Sequence, residues 1–521
     1  MIAESLRLVE VARRLAAHRA LAPGAEAALP PLARLGLRLA TLGVDEDPTE
    51  AAANSGARLA AALDELGPTY VKLGQSLAAR PDVVGEAVAA ALSDLQDDLP
   101  PFPWAEARAV IEGELGAPVE DLFADFDPVP VAAASISQVH FATTADGVRV
   151  AVKVLRPGIE AAFERDLRAL GWGARLAERT IPELRRLRPR EVVATLAETT
   201  RLETDLRLEA AAASELAHAI AASGAAPDQP GGGFAVPAPL WNLTARRVLT
   251  VERVDGIPIG DVEGLKAAGH DLAALSARLI QAFLHQSLVL GFFHADMHHG
   301  NLFVRADGTI VAVDFGIMGR LDRPMRRFLA ETLLGFITAD YRRVAQVHAD
   351  ASILPPTKSV ELFAQACRSI GEPILGRRSS DISMARLLAQ LFQITETFDM
   401  ETQPQLLLLQ KTMVVVEGVA RGLDPEASMW DVARPVVERW MIDNLGPEAR
   451  IMEAADNAAS LARRLPMLIE RAERAANQVT ERGVRLHPDS ARQIADAGRG
   501  ASPWRWAAIV LGLATLFLAL R

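Results

Sequence analysis

Residues 294–316 constrain this chain more than any other stretch. His294-Ala295-Asp296-Met297-His298-His299-Gly300-Asn301 is followed by Asp314-Phe315-Gly316. Asn301 lies five positions after Asp296, and Asp314 thirteen after Asn301. Between them, Asn301–Val304 and Thr309–Val313 read as two short strands around the turn Asp307-Gly308. Two acids and one amide are thereby set around a hairpin. Phosphoryl transfer needs a divalent cation held by hard oxygens near the phosphates, and an acid facing the nucleophile. Asn301 and Asp314 can supply the metal oxygens and Asp296 the acid. The plainer alternative is a hydrogen-bonded hairpin with no metal.

A second element belongs to the same chemistry. Val150-Ala151-Val152-Lys153 alternates as a strand, with Ala151 and Lys153 on one face, and Asp146-Gly147 before it marks a hairpin turn. A lysine turned inward needs anionic partners, which phosphates and a helix glutamate would provide. Upstream, Ala132, Ala133, Ala134 and Ser135 form a small-residue loop where a phosphate-cradling turn belongs, and a plain turn between strands is the alternative. Alanine there restricts the backbone more than glycine does.

Glu203, Asp205 and Glu209 fall in a predicted helix over 191–222. Glu203 and Asp205 are on different faces, whereas Asp205 and Glu209 share one. Solvated acids are the default reading of such a run. Lys72-Leu73-Gly74-Gln75 follows a helix start at Pro68-Thr69, and Gly74 inside a helix points to close packing. An ordinary surface helix is the alternative there.

Composition limits the rest. Half of the 521 residues are apolar, 23% are charged and the net charge is −11, which argues against a general grip on nucleic acid. The single cysteine, Cys367, forms no internal disulfide and anchors no Cys/His metal cluster. No G-x-G-x-x-G loop or iron-ligand set supports a redox hydroxylase. Met1–Ala22 reads as an amphipathic helix, packed on the protein or laid on a membrane surface. Trp506–Leu520 carries no charge over fifteen residues, about 22 Å of helix at ~1.5 Å per residue. With Trp504 and Trp506 at its start and arginines before it, it reads as a membrane tail that leaves the body in the cytoplasm.

Taken together, Lys72–Gln75 with Arg80-Pro81-Asp82, the Ala132–Ser135 loop, the Val150–Lys153 strand, Glu203-x-Asp205, the Asp296/Asn301 pair and Asp314-Phe315-Gly316 resemble the UbiB/ADCK (ABC-one) group of atypical kinases, over about Leu35 to Leu423. The resemblance implies an α+β, bilobal protein-kinase-like fold, predominantly helical, with an N-terminal helical KxGQ extension and a C-terminal membrane tail. The parts would be residues 1–125 (helical extension), 126–256 (kinase-like N-lobe), 257–500 (helical C-lobe) and 504–521 (membrane segment). It implies that Lys153 contacts ATP phosphates and pairs with Glu209. Glu252 would border adenine. Lys72 would meet Glu203 or Asp205, and Lys72, Gly74 and Gln75 would belong to a helical cover over the site. The implied cofactors are ATP and Mg²⁺. The implied role is support of ubiquinone biosynthesis at the bacterial inner membrane, with lipid or phenolic quinone precursors and other ubiquinone-biosynthesis proteins as partners. A protein kinase acting in trans and a nucleotide-switched scaffold are the other readings. The chain departs from the family pattern at Ser137, Ala212, Met297 and His299.

Overall fold

The computed structural model describes residues 2–18, 55–78, 84–93, 100–180, 188–225, 232–373 and 403–445, with isolated positions between them. Arg80-Pro81-Asp82 and the Trp506–Leu520 tail lie outside the described residues. Among those described, no helix is long and apolar enough to cross a membrane. The chain divides into units 1–441 and 442–521, and the fold and site described below belong to the first.

An antiparallel sheet is its first organising element. Strands β1 (Phe123–Phe126), β3 (Ser137–Thr144), β4 (Arg149–Leu155) and β6 (Val248–Glu252) are hydrogen-bonded in that order, and short β2 (Ala132–Ala133) pairs with β3. The β3–β4 hairpin closes at Asp146-Gly147, as its sequence predicts. Gly147 takes φ +84°, a conformation cheap only for glycine. Alternation along β4 then sorts its side chains. Val150, Val152 and Val154 join a core with Ala107, Val110 and Ile111 of helix α5 (Trp104–Leu115). Leu155 faces the other way, into a core with Phe163 of α6 (Ile159–Thr180) and Leu206 and Ala210 of α8 (Leu206–Ser223). Lys153 shares the Leu155 face and so meets α8.

The N-terminal helices α1 (Ile2–Ala17), α2 (Ser55–Leu66), α3 (Pro68–Ala78) and α4 (Glu86–Ser93) form a separate apolar cluster around Val11, Leu63, Tyr70 and Leu92, with Leu170 of α6 packed against it. α1 therefore packs on the protein. Arg7 bonds the buried Asp166 of α6 through Nε at 2.9 Å, and Thr69 Oγ1 donates to the same carboxylate at 3.0 Å. The expected packing at Gly74 is present. A Cβ there would run into Leu95 Cδ1 and come within 2.9 Å of Leu63 Cδ1.

The predicted continuous helix over 191–222 is corrected by the structure. α7 (Pro189–Glu203) ends at Glu203, and Asp205 caps α8 by accepting from the Arg207 N–H at 3.2 Å. An aspartate that offers the backbone a local acceptor favours such a cap over a helix interior.

The helical lobe follows. α9 (Leu272–Leu284) runs into a π-helical turn, His285–Leu290. Strands β5 (Phe234–Ala235), β7 (Ile257–Pro258), β9 (Leu302–Val304) and β10 (Ile310–Ala312) make a small sheet, and β8 (Phe292–His294) pairs with β11 (Met318–Arg320). Helices α10 (Arg323–Ile337), α11 (Tyr341–Asp350) and α12 (Val360–Gly371) share a core around Phe363 and the buried thiol of Cys367. α13 (Pro404–Leu423) packs along α9.

Candidate active site

Lys153 is the centre of the site. Its Nζ lies 2.8 and 2.9 Å from the two Glu209 oxygens and 3.2 Å from Asp314 Oδ2. β4 sets the lysine, the first turn of α8 sets Glu209, and the turn after β10 sets Asp314. One ammonium thus answers two carboxylates, leaving the triad with a net negative charge. The glutamate side chain is 9% exposed and the aspartate 47%, so the surplus charge sits on the accessible side. Burial pushes Asp314 up, but Lys153, the Gly316 N–H and the more distant Lys72 outweigh it and hold the carboxyl at about 2. Burial works against the Lys153 ammonium, yet Asp314 and Glu209 together hold its pKa above the ordinary lysine value. Burial raises Glu209, and Lys153 pulls it back in part. Asp314 takes φ +60°, a left-handed backbone unusual for a residue with a Cβ and a mark of a constrained functional turn.

His294 fixes the third acid, Asp296. Its Nδ1 accepts the Asp296 N–H at 3.1 Å and its Nε2 donates to Val313 O at 3.2 Å. Burial lowers its pKa, as a neutral hub requires. Asn301 closes the loop: Nδ2 donates to Asp296 O at 3.0 Å, and the Val313 N–H donates to Asn301 O at 2.9 Å. Asp296, Asn301 and the residue before Asp314 are therefore one hydrogen-bonded unit. His298 Nε2 lies 3.6 Å from Asp296 Oδ2.

Residues from the N-terminal helices reach the same place. Lys72 Nζ is 3.3 Å from Glu203 Oε2, with both side chains nearly buried at 12% and 10% exposure. Glu203, not Asp205, is the partner. Asp205 is spent on its cap and on Arg207, at 2.6 Å. Gln75 turns back into its own helical block, with Nε2 3.4 Å from Leu95 O.

Ala132 and Ala133 form β2, opposite Val139 and Gln138. The Ala134 N–H donates to Ser137 O at 2.7 Å, and Ser135 is fully buried. Its Oγ finds no partner among the described residues. Glu252 ends β6 opposite Val150, and its N–H donates to Ala238 O at 3.0 Å.

Hard oxygens on Asn301 and Asp314, surplus negative charge at Asp314 and a lysine beside them suit a divalent cation and phosphates. No cluster of three His, Cys, Asp or Glu suited to a metal occurs among the described residues, so phosphate oxygens would have to complete such a coordination shell.

Sequence reasoning overlooked the support behind this loop. Gln286 Oε1, in the π-helical turn, accepts the His294 N–H at 3.0 Å, and Thr412 Oγ1 lies 3.0 Å from Ala295 O. The signal for Thr412 was a hydroxyl set among the apolar positions Leu409, Met413, Val416 and Ala420.

Compared with known proteins, residues 94–348 match the ABC1 atypical kinase-like domain and residues 367–428 the UbiB helical domain. A probable protein kinase UbiB from Marinobacter nauticus is 42% identical over 432 residues, 82% of this chain and 78% of that one. Its namesake from Xanthomonas axonopodis pv. citri is 43% identical over 448 residues, 84% of this chain and 78% of that protein. A solved complex of Rv3197 with erythromycin, from Mycobacterium tuberculosis, is 27% identical, with 74% of this chain and 95% of that one covered at a TM-score of 0.47.

Proposed function

The chain belongs to the UbiB family of atypical kinase-like proteins, and from that premise we propose that it binds Mg–ATP and uses it, as an atypical kinase or ATPase, in support of ubiquinone biosynthesis at the bacterial inner membrane. The observation that carries this reading is the single ammonium of Lys153, held between Glu209 and Asp314 within 3.2 Å. A purely structural lysine has no need of a second, half-exposed carboxylate. Asn301 and Asp314 would hold the magnesium, and Lys153 would meet the phosphates. Bound there, the cation–nucleotide pair would supply an activated phosphoryl group. Asp296, fixed by His294 through its N–H and by Asn301 through its C=O, would orient the nucleophile and receive its proton. The Ala132–Ser135 turn would lie over the phosphates, and Glu252 would border the base.

The substrate reading rests on the cover. Lys72 and Glu203 join the N-terminal helices to the site, which supports a small or lipid-borne acceptor over a protein chain. Phenolic quinone precursors fit that chemistry. The uncharged Trp506–Leu520 segment supports a membrane setting with the body in the cytoplasm.

The test compares ATP turnover by the wild type and Asp314→Asn, with and without magnesium. Turnover is expected to fall ~100-fold or more in the variant, and quinone content in a deletion strain should be restored by the wild-type gene alone. Equal turnover in both proteins would remove the reading.

A further inference from the structure

We propose that Thr412, more than a hundred residues beyond Asp296 along the chain, is a positioning residue for Asp296; the inference rests on the functional reading above. The peptide unit joining Ala295 to Asp296 is gripped at both ends. Its N–H, on Asp296, donates to His294 Nδ1 at 3.1 Å. Its C=O, on Ala295, accepts from Thr412 Oγ1 at 3.0 Å. Rotation of that one plane would swing the Asp296 side chain, because both soft dihedrals beside a planar peptide move the groups attached to it. The flanking groups are fixed as well, with the His294 N–H on Gln286 Oε1 at 3.0 Å and the Ala295 N–H on Ile317 O at 3.0 Å. Thr412 supplies the hold on the carbonyl side.

Thr412 is fully buried, as is Ala295 at 2% exposure, so water is a poor replacement for the hydroxyl. Its one proton is shared with Leu408 O, at 2.8 Å, in its own helix. Leu408 O, inside α13, is already an acceptor of the helix ladder, whereas Ala295 lies past the end of β8. A second link sets the register of α13: Ser276 Oγ of α9 donates to Ala420 O at 3.0 Å. α13 lies within the UbiB helical domain, and the Thr412 hydroxyl is a direct contact from that domain to the acid-bearing loop of the kinase-like domain.

The full chain with Thr412→Val, which keeps the shape and removes the donor, is compared with Thr412→Ser, which keeps the donor. The readouts are kcat and KM for ATP, and amide hydrogen exchange of the peptide over 292–301. In the valine variant kcat is expected to fall about tenfold, at an unchanged KM, for a reacting group held a fraction of an ångström out of place. Exchange over 292–301 should quicken, and serine should restore both. Valine within twofold of wild type in kcat and exchange overturns the proposal, and so does an equal defect in both variants, which would mark a packing role. If the wild type itself turns over no ATP, the functional reading falls and exchange alone decides Thr412: faster with valine and restored by serine supports it, no change sinks it. Should the valine protein fail to fold, Thr412→Cys, similar in size and a weak donor, takes its place under the same criteria.

Discussion

At Asp314 the backbone and the charge can be tested apart. The residue adopts φ +60°, a region that asparagine tolerates nearly as well as aspartate. Asp314→Asn therefore removes a charge without breaking the turn. The carboxyl titrates at about 2 in the folded chain, against roughly 3.9 in an unfolded one. A depressed carboxyl contributes stability that is fully present above the unfolded value and is lost as pH falls from about 4 through about 2. Because the side chain is 47% exposed, screening reduces that contribution to on the order of 1 kcal/mol. Urea unfolding of wild type and Asp314→Asn at pH 5 and again near pH 2.5 should show the gap between them narrowing by about that amount. A gap independent of pH would mean that the Lys153–Asp314 pair contributes nothing in solution.

Elements differ in how plainly their sequences announce them, and the reason is length. β4 alternates over seven residues, so Lys153 could be placed on a face, and the structure gives that face Glu209. The Asp146-Gly147 and Asp307-Gly308 turns and the hairpin between Asn301 and Asp314 were readable because turn chemistry is local. β8 and β11 have three residues each, too few for any period to show. The break at Thr204-Asp205 was hidden because acids suit a helix surface as well as a cap. Contacts such as Gln138 with Phe102 are set by tertiary packing alone. Gln138, fully buried in β3, accepts the Phe102 N–H at 2.9 Å and meets His140 Nε2 at 2.9 Å, while His140 Nδ1 bonds Asp127 O at 2.9 Å. Burial lowers the His140 pKa, so the ring is neutral, donating from Nδ1 and accepting at Nε2. Gln138 also faces Ala133, so this chain braces the small-residue loop. Gln138→Met should orphan two buried groups and cost about 2–4 kcal/mol by thermal or urea unfolding. A loss under about 0.5 kcal/mol would place the relay among features of no energetic weight.

For the whole molecule the question is what the N-terminal helices do to a site built by residues beyond them. Two of the ion pairs that fasten them differ in kind. Arg7, 14% exposed, pairs with Asp166, 4% exposed. Its removal leaves the carboxylate with Thr69 and Arg165, so Arg7→Ala should cost about 2 kcal/mol and quicken amide exchange over 2–18. Lys72 pairs with Glu203, and its charge also reaches Asp314, where it helps to hold the carboxyl down. An ammonium that stabilises a carboxylate from nearby also repels any cation the carboxylate would bind. Lys72→Met should therefore tighten magnesium binding in the presence of a non-hydrolysable ATP analogue, by about two- to tenfold for a charge screened at an effective dielectric near 20. Arg7→Ala should leave magnesium affinity within twofold while lowering stability. The comparison separates helices that merely clamp from helices that set the field at the site. If Lys72→Met weakens magnesium binding, or if both variants shift it equally, the lysine does not act through its charge, and the N-terminal helices serve the site by shape alone.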